Sequence, residues 1–181
     1  MALKIVCIIL KIIEIVVLVA GTGLVGYFMK EFYDGRKPEN DDRVNSYDLG
    51  HFGRFEFFLY TTCLGVIMVV LSLVALITGL LEKKGGTSAM VIVHALWTLQ
   101  LLVSTALLAK VLATYEKEQD LLPIYVISEK KQSFCDNFDE ANTNYQCSQF
   151  IGGVACGFIG TILFLVDTIV HAISWKRSPV W

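Results

Sequence analysis

Asp167 and His171 stand one helical turn apart in TILFLVDTIVHAIS, residues 161–174, a stretch whose other side chains are nearly all hydrocarbon. Lys11 and Glu14 stand three apart in a second apolar stretch, and His94 is the lone ionisable residue of a third. Acids, an amine and imidazoles suit general acid–base catalysis. They equally suit metal ligation or the passage of protons or ions through a membrane. The same types also hold helices together as buried ion pairs. Choosing among these uses depends on the elements that carry them.

The chain has 181 residues, 55% hydrophobic and 18% charged, with mean hydropathy +0.60. Soluble domains average about 45–50% apolar and about 25% charged residues. The excess is blocked rather than spread. Residues 57–81 and 85–109 contain no charge, and residues 150–175 contain only Asp167 and His171 as ionisable groups before the end. Each block exceeds the roughly 20 residues that cross about 30 Å of hydrocarbon. A soluble bundle of long helices does not need charge-free blocks of this length. The expected fold is therefore an all-α integral membrane four-helix bundle in one tetraspan domain. Its spans fall at about 4–29, 57–81, 89–112 and 150–175. Two extracellular loops, 30–56 and 113–149, a short turn at 82–88 and a tail at 176–181 connect and end them.

The first span contains two decoys. Leu18-x-Ala20 loosely resembles a signal-peptide cleavage site. However, Lys11 and Glu14 leave little apolar sequence before it, and apolar sequence runs well past it. GTGLVG, residues 21–26, matches the dinucleotide pattern G-x-G-x-x-G, which requires a preceding strand and a following helix. Here the glycines fall inside a span.

Four spans place both termini on one side of the membrane. Lys4, Lys83, Lys84, Lys176 and Arg177 concentrate in the few residues on that side, whereas the long loops hold their basic residues among more numerous acids. The positive-inside rule counts Lys and Arg, not net charge, so density favours cytoplasmic termini more than raw number does. Cysteine placement adds to this. Cys7, Cys63 and Cys156 lie in spans, but Cys135 and Cys147 share the polar second loop. Such a pair suits a disulfide in an oxidising compartment. That places both loops outside; two free thiols in a cytoplasmic loop are the alternative.

Gly21, Gly23 and Gly26 crowd the outer half of the first span, and Gly153, Gly157 and Gly160 that of the fourth. Small residues let helix backbones approach where lipid supplies no hydrophobic drive. The first and fourth helices are expected to pack there, with a homo-oligomer face as the rival use. Lys11, Glu14 and Asp167 fall at similar depth from the terminal side, on the order of 12 Å at 1.5 Å per residue. His94 and His171 fall slightly shallower. One intramembrane polar layer is expected, with Lys11 bridging Glu14 and Asp167 and the histidines flanking.

A proton or ion path needs polar residues through the whole depth, and the outer halves offer only glycines and threonines. A metal would need His94, Asp167 and His171 to converge, and no close ligand motif in the sequence brings them together. No nucleophile triad or phosphate loop occurs. The chain is expected to be no enzyme, to take no cofactor or metal, and to bind no nucleic acid. The layer is read as a structural lock, with proton transfer and metal binding as the other uses.

Function then falls to the surface. Phe32, Tyr33, Tyr47, Phe52 and Phe55 mix with charges in the first loop, and Tyr125, Phe134, Phe138 and Tyr145 in the second. Exposed aromatics suit protein contacts or the interfacial belt. Trp175, beside Lys176 and Arg177, suits a membrane-surface anchor.

Four spans, short termini, a small inner turn and FLVDT at Phe164–Thr168 resemble the MARVEL-like tetraspan proteins, and among them the small arthropod septate-junction proteins of the Snakeskin and Pasiflora types. The first loop lacks the claudin W-GLW-C-C pattern, the second lacks the tetraspanin CCG motif, and the tail SPVW has no clear PDZ-type ending. The resemblance implies a non-enzymatic plasma-membrane scaffold at cell–cell junctions. Its partners would be lipid and other membrane or junction proteins met through the extracellular loops. An auxiliary subunit of a channel or transporter is the alternative, and a proton-coupled carrier a third.

Overall fold

Hydrocarbon offers no water to an unpaired N–H or C=O, so a long apolar segment must satisfy its backbone internally as a helix. A computed structural model, describing residues 2–34, 52–79, 86–116, 135 and 146–177, shows this. The helices are α1 (Ala2–Asp34), α2 (Phe52–Ile77), α3 (Gly86–Glu116) and α4 (Cys147–Arg177). Within them Lys4–Phe32, Gly53–Ile77, Ser88–Glu116 and Cys147–Ile173 are long and apolar enough to cross a membrane. The chain is a multi-pass membrane protein.

The helices outrun the charge-free blocks at several ends, because a helix need not stop where the lipid does. α2 differs most. It begins before Arg54 and Glu56 and ends at Ile77, where Gly79 adopts φ +71°. That left-handed conformation carries almost no steric cost for glycine and commonly closes a helix. The expected loop residues Tyr47, Tyr125, Phe134, Phe138 and Tyr145, and the basic turn at Lys83 and Lys84, lie outside the described residues. So does the side chain of Trp175.

Each helix packs against its neighbours in the order α1, α2, α3, α4 and back to α1. Ala2 and Arg177 share one end of the bundle, called here the terminal end; the other is the loop end. α1 and α4 run antiparallel in strict register. Lys11 meets Asp167, Leu18 meets Gly160, Gly21 meets Cys156 and Gly153, and Phe28 meets Phe150.

Three layers fill the interior along this register. Lys11, Glu14, His94, Asp167 and His171 are buried toward the terminal end. Leu18, Val69, Leu101 and Phe164 form the middle. The loop end is aromatic: Phe150 lies 5.1 Å from both Phe28 and Phe55, and Phe32 stacks at 5.9 Å on Phe28. Phe32 and Phe55 are each only 3% exposed, which corrects their expected place among exposed loop aromatics. α1 and α2 continue past the charge-free stretches, so both rings turn inward, Phe32 one turn beyond Phe28 and Phe55 one turn before Phe58.

The outward faces carry Ile9, Val16, Val19, Leu71, Leu99 and Ile162, all exposed. Apolar side chains are stable there only against hydrocarbon. Buried threonines hydrogen-bond within their own helices: Thr61 donates to Phe57 O at 2.7 Å, Thr98 to His94 O at 2.7 Å and Thr161 to Gly157 O at 2.9 Å. These bonds give those hydroxyls an acceptor inside an apolar bundle.

Glycines set the approach of α4. A Cβ on Gly153 would strike Val25 of α1. One on Gly157 would lie 2.7 Å from Thr105 and 2.9 Å from Phe58, and one on Gly160 3.1 Å from Leu18. One on Gly21 would lie 3.0 Å from the Cβ of Cys156. A Cβ on Gly26 would instead meet Leu59 of α2 at an ordinary 3.8 Å, and Gly23 is exposed, where an added Cβ would meet nothing within 4 Å. Gly23 is thus no contact between α1 and α4.

Candidate functional site

A helix brings residues three and four apart onto one face. Lys11 and Glu14 therefore project together from α1, and Asp167 and His171 from α4. α3 contributes His94. The structure brings all five together, each 6% exposed or less.

The Lys11 ammonium is the centre. Its Nζ lies 2.5 Å from Asp167 Oδ2, 3.0 Å from His94 Nε2 and 3.4 Å from Glu14 Oε2. Lys11 donates to Asp167 and to His94, so His94 Nε2 accepts and its other nitrogen carries the proton. A primary ammonium has three donors and no acceptor, which fits one cation shared by three helices. Asp167 Oδ2 also lies 3.4 Å from His94 Nε2 and 3.5 Å from His171 Nε2. The two imidazole rings meet edge to face at 5.4 Å, and Phe164 closes on His94 at 5.7 Å.

The layer is incompletely satisfied. Among the described residues, Asp167 Oδ1, His94 Nδ1, His171 Nε2 and both Glu14 oxygens have no hydrogen-bond partner. Glu14 Oε2 is within ion-pairing distance of Lys11 all the same. Formally, one ammonium faces two carboxylates. His94, Asp167 and His171 also do what a metal would require. One ligand atom from each lies within 4.8 Å of the others, although nothing in the local sequence links α3 to α4.

Toward the loop end the buried ionisable groups give way to hydroxyls and apolar side chains among the described residues. Above the layer come Leu18, Leu101 and Phe164, then the stacked rings of Phe28, Phe55 and Phe150. Hydroxyl contacts between helices include Thr98 with Thr168 at 3.5 Å, beside the layer, and Thr22 with Thr62 at 2.8 Å, farther toward the loop end. Cys135 and Cys147 form a disulfide, their Cα atoms 5.4 Å apart, and both are buried in the aromatic cluster. The bond ties residue 135 to the first residue of α4.

A four-span bundle with this arrangement has a counterpart among known families. The model of the membrane-associating domain called MARVEL matches residues 4–170, nearly the whole chain and all four helices. The chain belongs to the MARVEL family. No curated protein and no solved structure matches it. The MARVEL domain accounts for a membrane-associated tetraspan, and its matched residues contain every member of the polar layer except His171.

Several interior positions escaped the sequence. Trp97 is paired with Gly65, where an added Cβ would lie 3.0 Å from its indole nitrogen. Thr105 fills the notch that Gly157 leaves open. The Phe28–Phe32 and Phe55–Phe58 spacings did carry a signal for inward-facing aromatics, which the surrounding charges obscured.

Proposed function

We propose that this MARVEL protein is a non-enzymatic plasma-membrane scaffold that helps assemble occluding, septate-type cell–cell junctions through its two long loops. The observation that carries the reading is the family match over residues 4–170 on a bundle whose interior changes from polar to aromatic along its length. A carrier would need polar groups throughout that length. The resemblance to the Snakeskin and Pasiflora types supplies the junction. The disulfide at the loop end supports an oxidising outer side, with both termini cytoplasmic.

In this reading the polar layer is a lock. Lys11 joins α1 to α3 and α4, and a buried ion pair of that kind specifies which helix faces which. The glycine contacts of Gly21 and Gly153 complete the seam.

The test is localisation of a tagged copy in a polarised epithelium, with paracellular permeability measured after depletion. Accumulation at lateral contacts and a leaky barrier are expected. Even staining with an intact barrier would reject the reading. Co-purification with one larger channel, with altered currents, would replace it by an auxiliary-subunit role. For the lock itself, Asp167→Leu should lower surface expression; a fully expressed, correctly assembled variant would remove that role from the layer.

A further inference from the structure

We propose that His94, Asp167 and His171 form a binding site for one transition-metal dication of the Zn2+ or Co2+ class. When the metal binds, the Lys11 ammonium passes from Asp167 to Glu14.

Two imidazoles and one carboxylate are a donor set suited to zinc and cobalt rather than to magnesium or calcium. Two of the three donor separations already match, and all three donors lie within 4.8 Å of one another. Ligands about 2.0–2.1 Å from a tetrahedral zinc stand roughly 3.3 Å from one another. His94 Nε2 and His171 Nε2 lie 3.4 Å and 3.5 Å from the same Asp167 oxygen. One of these donor atoms, His171 Nε2, is buried with no hydrogen-bond partner among the described residues, and so is the second Asp167 oxygen, Oδ1. α4 presents its two ligands one turn apart, and α3 supplies the third from across the seam. This leaves one coordination position open.

Lys11 occupies the same seat. Its Nζ sits between Asp167 Oδ2 and His94 Nε2, so a cation already fills the space a metal would take. Glu14 makes exchange possible. It stands one turn along α1, its Oε2 is 3.4 Å from Nζ, and among the described residues neither of its oxygens has a hydrogen-bond partner. Turning the flexible Lys11 side chain to Glu14 vacates the seat without moving a helix. Each carboxylate then has its own cation: Lys11 on Glu14 and the metal on Asp167. Nothing in this exchange depends on the junction role.

The full-length protein, purified in detergent micelles at neutral pH, is titrated with Co2+ and followed by visible absorption, then with Zn2+ as competitor. A saturable band at one equivalent per chain, displaced by Zn2+, is expected. His94→Ala and His171→Ala should abolish it, and His51→Ala, which removes the remaining histidine, should leave it intact. Glu14→Gln, which withdraws the acceptor for Lys11, should weaken binding at least tenfold; unchanged affinity overturns the exchange. No saturable signal in the wild-type chain overturns the site, since Lys11 is then its permanent occupant. Survival of the band in both histidine variants does the same. Because the histidine variants can fail to fold, X-ray absorption at the zinc edge of the wild-type protein gives a second readout. Two imidazoles in the ligand shell are expected, and an all-oxygen or sulfur shell overturns the site. A wild-type chain that binds no metal, but loses surface expression on Asp167→Leu, would leave the lock standing alone.

Discussion

Lys11 is 1% exposed and serves three neighbours with one charge. Removing one partner of a buried ion pair costs about 3–5 kcal/mol, mostly because the other charge is left unmatched, whereas replacing both by apolar residues is often near neutral. Lys11→Met and Asp167→Leu should therefore each destabilise the folded bundle by about that amount. The double variant should lie closer to wild type than the two losses added together. Thermal unfolding in detergent micelles gives the cycle, and strictly additive losses would mean the two groups are not coupled. Much of this layer was legible in the sequence, because helical spacing pairs Lys11 with Glu14 and Asp167 with His171, and equal depth aligns α1 with α4. Depth also put His94 in the layer, but its direct contact with Lys11 was not legible. It depends on the rotation of α3 against α4, which side chains remote from the layer help to set, among them Thr105 in the notch at Gly157.

At the scale of the helix, the same glycine type has opposite meanings. A membrane helix is apolar on the lipid side and the core side alike, so hydrophobic periodicity does not mark its inner face. Gly21, Gly23 and Gly26 therefore read as one cluster, although Gly21 touches α4, Gly26 faces α2 and Gly23 faces outward. Adding a methyl group to a tightly packed site typically costs 1–3 kcal/mol, because neighbours must leave their preferred rotamers. Gly153→Ala and Gly157→Ala should lose about that much thermal stability in micelles. Gly23→Ala meets nothing and gains the helix preference of alanine over glycine, roughly 0.8–1.0 kcal/mol in an exposed interior. It should be neutral or stabilising. A Gly23→Ala loss equal to that of Gly157→Ala would show that Gly23 packs against another molecule, as the rival oligomer face requires.

Over the whole molecule, the two ends differ in how they are held. The terminal end depends on charge pairing. The loop end depends on stacked rings and on Cys135–Cys147, which closes a segment of sequence separation 12. A cross-link over a loop of that size lowers the entropy of the unfolded chain by an amount worth about 3 kcal/mol. Cys135→Ser should remove both that stability and a mobility shift on a non-reducing gel; an unchanged shift would count against the bond in the cell. Disulfides persist in oxidising compartments, so the proposed orientation puts this bond and the loop end on the outer side. The four spans were visible in the sequence because hydrocarbon tolerates only long apolar helices. Direction was not visible in the same way, since basic residues occur on both sides. An epitope tag at either terminus should be silent to antibody on intact cells and stain after permeabilisation, while a tag inserted between residues 34 and 52 should stain intact cells. Terminal tags read on intact cells would reverse the bundle, bring the disulfide into a reducing compartment and remove the physical basis for assigning the loops to contacts between cells.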